Sequence, residues 1–180
     1  TIVIDPGHGG KDPGSVGRSG KGAAARTLHE KQVTLQVGLR LRDLLQKKYP
    51  DIRIIMTRET DTFISLDDRT KKANAHARTK DQSVLFISIH TNASLSTKAK
   101  GYEVWYLPAA TRRQVVKPGD YEVDASVVEV INDLKQEEIS VDGYLLANSI
   151  QKHLGLAIGD QSPSRGLKEE EWYVVRNAFM

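Results

Sequence analysis

The sequence predicts an α/β fold, a sheet with helices on its faces. Three observations predict it. Five short β-rich apolar runs punctuate the chain, amphipathic helical stretches lie between several of them, and no internal repeat or low-complexity tract breaks the pattern. A length of 180 residues suits one domain, whose core can form without disulfides or a structural metal.

The first strand is Ile2–Ile4. It runs into Gly7–Ala25, which holds seven glycines and few apolar residues and reads as a long irregular loop. A helix follows, with Val33, Val37, Leu41, Leu44 and Leu45 on one face. Ile52–Met56 is the second strand, Asp67–Arg78 a second helix, Val84–Ile89 the third strand and Tyr102–Leu107 the fourth. Pro108–Asp124 carries Pro108, Pro118 and Gly119 among scattered charges and is a second irregular segment. Loops this long in a compact domain are usually functional or disordered. Val127, Val128, Ile131 and Leu134 form another amphipathic stripe, and Tyr144–Leu154 a further one ended by Gly155. Trp172–Val175 reads as a fifth strand.

Composition narrows the chemistry. Apolar residues make up 39% and charged residues 27%, ordinary for a soluble globular protein. There are no cysteines, which excludes a thiol nucleophile, thiolate metal ligands and disulfides, and fits an exported bacterial protein. No apolar run approaches the roughly 20 residues of a membrane span. The net charge of +3 favours approach to an anionic polymer such as cell wall or nucleic acid. The basic residues do not cluster with aromatics, so a nucleic-acid footprint is lacking.

Three residues then stand out. His8 sits just past the first strand, at the edge of an α/β sheet where ligands bind. The glycines around it permit tight turns, and the Lys-Ser/Thr signature of a phosphate loop is missing. In "TLHEKQVTLQVGLRL", Glu30 can close a capping box with Thr27. At about 100° per residue it also falls within the arc of Val33, Val37 and Leu41, whereas His29 is expected to face outward. A carboxylate on the core side is costly unless paired or bound to a metal. In "SVLFISIHTNAS", alternation puts Val84, Phe86, Ser88 and His90 on one face, with His90 at the strand's end. If that strand runs parallel to the first, His8 and His90 share a sheet edge. Two His and one Glu make a catalytic zinc set with a fourth position for water.

Beyond these residues, the chain resembles the zinc-dependent N-acetylmuramoyl-L-alanine amidases of bacterial cell-wall remodelling. The matching stretches are "IVIDPGHGGKDPGSVG", "HEKQVTLQVGLRLRDLL", "TRETDTFISLDDRTKKAN", "LFISIHTNA", "GYEVWYL" and "WYVVRNAFM", in family order over nearly the whole chain. The resemblance implies one domain over 1–180 with a central, mostly parallel, twisted sheet and a zinc site at the C-terminal edge of its strands. It implies one Zn²⁺ held by His8, Glu30 and His90, and cleavage of the amide between the lactyl group of N-acetylmuramic acid and L-alanine of the peptidoglycan stem. Arg58, Asp61, Leu66, Arg69 and Asn74 match a family stretch read as structural, with Arg69 salt-bridged or holding a backbone carbonyl. Asn92 is expected to orient a ligand or line the pocket.

Two departures accompany the resemblance. The family's general-base glutamate lies in a "PAVLVE"-like segment, expected here beyond Met180 together with a closing strand and helix. Residues 108–142 look like an insertion, either a surface embellishment or a regulatory cover that a partner protein would release, with Glu122 as a carboxylate for the open zinc position. An exported, periplasmic or extracellular protein with a cell-division role is the expectation. The competing readings are a zinc carboxypeptidase or other amidohydrolase, which would release terminal amino acids, and a non-catalytic peptidoglycan-binding domain, which would bind sacculi and release nothing.

Overall fold

The computed structural model of the chain describes residues 1–20, 26–76, 83–94, 96, 98–111, 113–116 and 119–179. They divide into two compact units, Thr1–Leu95 with Asn177–Met180, and Ser96–Arg176.

The first unit contains β1 (Ile2–Pro6), β2 (Val16–Ser19), β3 (Arg26–His29), α1 (Glu30–Lys48), β4 (Ile54–Met56), α2 (Leu66–Asn74) and β5 (Leu85–Ile89). Its main sheet has the order β4-β1-β5, and both pairings are parallel. The central strand β1 is apolar on consecutive residues because both its faces are covered. Val3 packs with Ala73 of α2 and Val84, flanked by Ile55 and Phe86. Gly38 of α1 lies against Ile4, Pro6 and Met56. Successive strand residues point to opposite sides, so α1 and α2 cover opposite faces.

The buried line of α1 is Glu30, Thr34 and Gly38, whereas Val37 is 46% and Leu44 68% exposed. The expected stripe of large apolar residues is therefore displaced. Small residues let the helix approach the sheet closely, and the larger ones sit at its shoulders. In α2, the Ser65 hydroxyl accepts from Asp68 N at the N-cap. The expected Asp67–Arg78 helix is found as Leu66–Asn74, and residues 77–78 lie outside the described residues.

The glycine-rich stretch is less irregular than its composition suggests. β2 and β3 pair antiparallel, with Val16 opposite His29. Neither strand alternates apolar and polar residues. Backbone bonds rather than side-chain burial hold this ribbon, so it leaves no periodic signal.

The second unit contains β6 (Tyr102–Tyr106), α3 (Ala125–Ile158), β7 (Ser164–Glu169) and the start of α4 (Tyr173–Asn177). β6 and β7 pair in parallel. The two separate helical stripes are one continuous helix of 34 residues, running through Gly143. The polar linker between them is rich in Lys, Gln and Glu, which form helix readily. β7 escaped the sequence reading because "SRGLKE" is polar and contains a glycine. The strand expected at Trp172–Val175 is a helix instead. A four-residue apolar run does not distinguish the two. Val174, within this helix, is buried.

Part of the 108–124 segment is stitched onto α3. The Asn132 side chain accepts from Val115 N and Val116 N and donates to Arg113 O, while Gln136 Oε1 accepts from Arg113 N. Among the described residues, no helix is long and apolar enough to cross a membrane.

Candidate metal centre

Parallel pairing brings three elements to one edge. β1 and β5 end in register, Pro6 opposite Ile89, and Gly7 N donates to Ile89 O. His8 and His90 therefore leave the sheet side by side, with ring centroids 4.9 Å apart and planes at 81°. α1 begins at the same edge with Glu30. Glu30 Oε1 lies 3.2 Å from His8 Nε2 and 3.2 Å from His90 Nδ1. Ligand atoms of these three residues all fall within 4.8 Å of one another, the one such group of three or more among the described residues. Ligands about 2.0–2.1 Å from a tetrahedral ion stand about 3.3 Å apart. The two 3.2 Å spacings match that geometry, and imidazole with carboxylate is a zinc-type donor set.

The capping-box reading of Glu30 does not hold. Thr27 belongs to β3, and the N-cap is His29, whose side chain makes no capping hydrogen bond among the described residues. The Glu30 carboxylate turns away from its own helix, with Oε1 accepting from Thr91 N at 2.7 Å and Oε2 from Ser15 N at 2.9 Å. Burial pushes its pKa up, but the His90 hydrogen bond and the Ser15 and Thr91 N–H groups outweigh that and lower it to about 2. Glu30 is thus an anion at neutral pH, ready for a cation. His29 is half-buried rather than outward-facing, and its Nδ1 is buried with no hydrogen-bond partner among the described residues.

The loop carrying His8 is held by two guanidinium groups. Arg58 donates to Pro6 O, Gly7 O, Lys31 O and Thr34 Oγ1. Arg69 donates to Pro6 O and His8 O and pairs with the buried Asp5. Asp5 also accepts from the Thr57 and Ser88 hydroxyls. This lattice explains how His8 keeps a φ of 62°, a left-handed conformation that side chains rarely adopt. Asp61 ties the next turn down, accepting from Gly10 N and Lys31 Nζ. Asn74 accepts from Phe179 N and donates to Asn177 O. Arg69 therefore does both things expected of it, and Asp61 and Asn74 have structural partners.

Two glycines make room for these three side chains. A Cβ at Gly7 would collide with the His90 ring. At Gly14, with φ +64°, it would stand 2.6 Å from His8 Cδ2 and 2.8 Å from Glu30 Cβ.

Asn92 lies exposed just past the strand end, two residues from His90. Glu122 lies in the turn before α3, beside Tyr121, Asp124 and Val127, and is not in the His8–Glu30–His90 group. The sequence reading missed Asp12, whose Oδ2 is 2.8 Å from His8 Nδ1. An acidic residue four positions after a histidine in a tight loop was the available signal. Burial raises the Asp12 pKa, but the His8 and Gly14 hydrogen bonds bring it below its usual value.

Residues 2–180 match the family model for N-acetylmuramoyl-L-alanine amidases. A probable N-acetylmuramoyl-L-alanine amidase, AmiB, of Haemophilus influenzae is 33% identical over 160 residues, 89% of this chain and 32% of that protein. The sporulation-specific N-acetylmuramoyl-L-alanine amidase of Bacillus subtilis is 38% identical over 107 residues, covering 59% of this chain and 36% of that protein. The chain thus spans about a third of the length of these curated relatives. Among solved structures, the catalytic domain of CwlV, an N-acetylmuramoyl-L-alanine amidase from Bacillus (Paenibacillus) polymyxa var. colistinus, is similar with a TM-score of 0.66 and 29% identity. That likeness covers 97% of this chain and 72% of that one.

Proposed function

The chain belongs to the N-acetylmuramoyl-L-alanine amidase family, and from that premise we propose that it hydrolyses the amide between the lactyl group of N-acetylmuramic acid and L-alanine of peptidoglycan, using one zinc ion at His8, Glu30 and His90. The observation that carries this reading is Glu30 Oε1, 3.2 Å from a nitrogen of each histidine. A zinc ion held by these three residues would supply a water of pKa near 7 and a Lewis acid for a carbonyl. The chain's own residues keep the donor atoms converged. Ser15 and Thr91 fix both Glu30 oxygens, and Arg58 and Arg69 hold the backbone on either side of Gly7. Pre-organisation of this kind spares the site rearrangement when ligand binds.

The general base is assigned to the glutamate expected beyond Met180. The run Glu169–Glu171 is a poor substitute. Glu169 accepts from the Tyr106 hydroxyl, and Glu171 accepts from the Thr111 hydroxyl and pairs with Arg176. Residues 108–142 are assigned as a cover, with Glu122 as its carboxylate and a partner protein as its release. The bonds from Asn132 and Gln136 to residues 113–116 support this, because they make the segment an organised element. A wall substrate accords with an exported, periplasmic or extracellular location and with a role in cell division.

The test is mass spectrometry of products after incubation with purified peptidoglycan, with and without a zinc chelator. Free stem peptides that vanish with chelator support the proposal. Released terminal amino acids point to a carboxypeptidase. Binding to sacculi without products, in the chain extended through its general base, points to a wall-binding domain.

A further inference from the structure

We propose that Asp12 is the positioning residue of the metal centre: one carboxylate oxygen holds His8 Nδ1, so that Nε2 faces Glu30, and the other holds the turn that leaves room for both ligands. The inference rests on the metal reading above.

A histidine ring has two nitrogens, and the bond made by one decides which is left to ligate. Here Asp12 Oδ2 is 2.8 Å from Nδ1, and Nε2 stands 3.2 Å from Glu30 Oε1. Turning the ring over would put carbon where each nitrogen now stands and lose both contacts. Asp12 is itself pinned. Its backbone exchanges two hydrogen bonds with Gly9, at 2.9 and 3.1 Å. Its Oδ1 accepts from Gly14 N at 3.1 Å. Gly14 is the position where a Cβ would strike both His8 and Glu30. One side chain thus sets the ring's orientation and the clearance around it. His90 has no comparable carboxylate on its outer nitrogen among the described residues. It turns Nδ1 inward, and its side chain is 46% exposed. The need for a dedicated orienting group falls on His8.

The experiment measures zinc affinity of the wild type, Asp12→Asn and Asp12→Ala by competition with a chromophoric chelator. It adds ¹⁵N–¹H spectra of the zinc-loaded wild type. The expected spectrum shows a proton on His8 Nδ1 and metal on Nε2. Asp12→Ala should bind zinc about 10- to 100-fold more weakly. Asp12→Asn should lose less, because the amide oxygen still accepts the same N–H without the charge. Zinc on His8 Nδ1 in the wild type overturns the inference without any variant, so it stays testable if Asp12→Ala fails to fold. So does an Asp12→Ala affinity within about threefold of a zinc-binding wild type. A wild type that takes up no zinc overturns the metal reading and this inference with it.

Discussion

Arg69→Met separates the lattice behind the site from the site itself. Arg69 is 3% exposed and faces Asp5, which is fully buried. Its guanidinium donates to Asp5 Oδ1 at 2.6 Å, His8 O at 2.6 Å, Pro6 O at 2.8 Å and Ile64 O at 3.2 Å. Methionine fills much of the same space but carries no charge and no donor. Asp5 then keeps the Thr57 and Ser88 hydroxyls and the more distant Arg58 charge, yet loses its direct ion pair. Breaking a buried pair from one side costs about 3–5 kcal/mol. At 1.4 kcal/mol per tenfold, the open population of the first unit rises between about 100-fold and a few thousand-fold. Both tryptophans, Trp105 and Trp172, lie in the second unit, so their fluorescence is the wrong probe. Hydrogen exchange of the Thr57 and Gly7 amides, bonded to Ile4 O and Ile89 O, reads the correct sheet. Asp5→Asn with Arg69→Met should recover about half of the loss, because the unpaired charge is gone. A single variant less than about fivefold more exchangeable, or a double variant no better than the single, would refute the reasoning.

Other outcomes follow from the same structure. Gly14→Ala places a Cβ in a left-handed turn, at about 1–2 kcal/mol for the backbone alone, and 2.6 Å from His8 Cδ2; zinc affinity should fall at least about tenfold in a chelator competition. In the second unit, the Lys168 ammonium holds Glu103 below its ordinary 4.5 against the opposing effect of burial, and Arg165 adds to the lowering. A folded pKa below the unfolded one stabilises fully above about 4.5 and is lost as pH falls through the lower, folded value. Acid unfolding followed by tryptophan fluorescence should therefore show a shallower acid limb in Glu103→Gln than in the wild type. Asn132→Ala with Gln136→Ala removes four bonds to the backbone of residues 113–116; if residues 108–142 cover the site, basal release of stem peptide should rise, and unchanged release would leave the segment a surface element.

The convergence of His8, Glu30 and His90 was legible because they stand at ends of apolar, periodic elements. Ile2–Ile4 and Val84–Ile89 announce strands; His90 follows its strand directly, and His8 comes just past the end of its own. Glu30 was placed on the right side of α1 for an incomplete reason. The buried line runs through Thr34 and Gly38, and small residues leave no hydrophobic signature. β2, β3 and β7 were illegible because backbone pairing creates them from polar or glycine-containing sequence. The helical Tyr173–Asn177 was misread because its short apolar run fits either element. Asp12 was hidden by its role. It acts through a hydrogen bond to a neighbouring side chain, and only the fold reveals which oxygen meets which nitrogen.

The most direct measurement is zinc stoichiometry and affinity of the wild type against His8→Ala, His90→Ala and Glu30→Ala, each checked for folding by circular dichroism. The expected result is one zinc per wild-type chain, and its loss or severe weakening in all three variants. A Glu30→Ala protein that retains stoichiometric zinc at wild-type affinity would contradict the assignment of the centre.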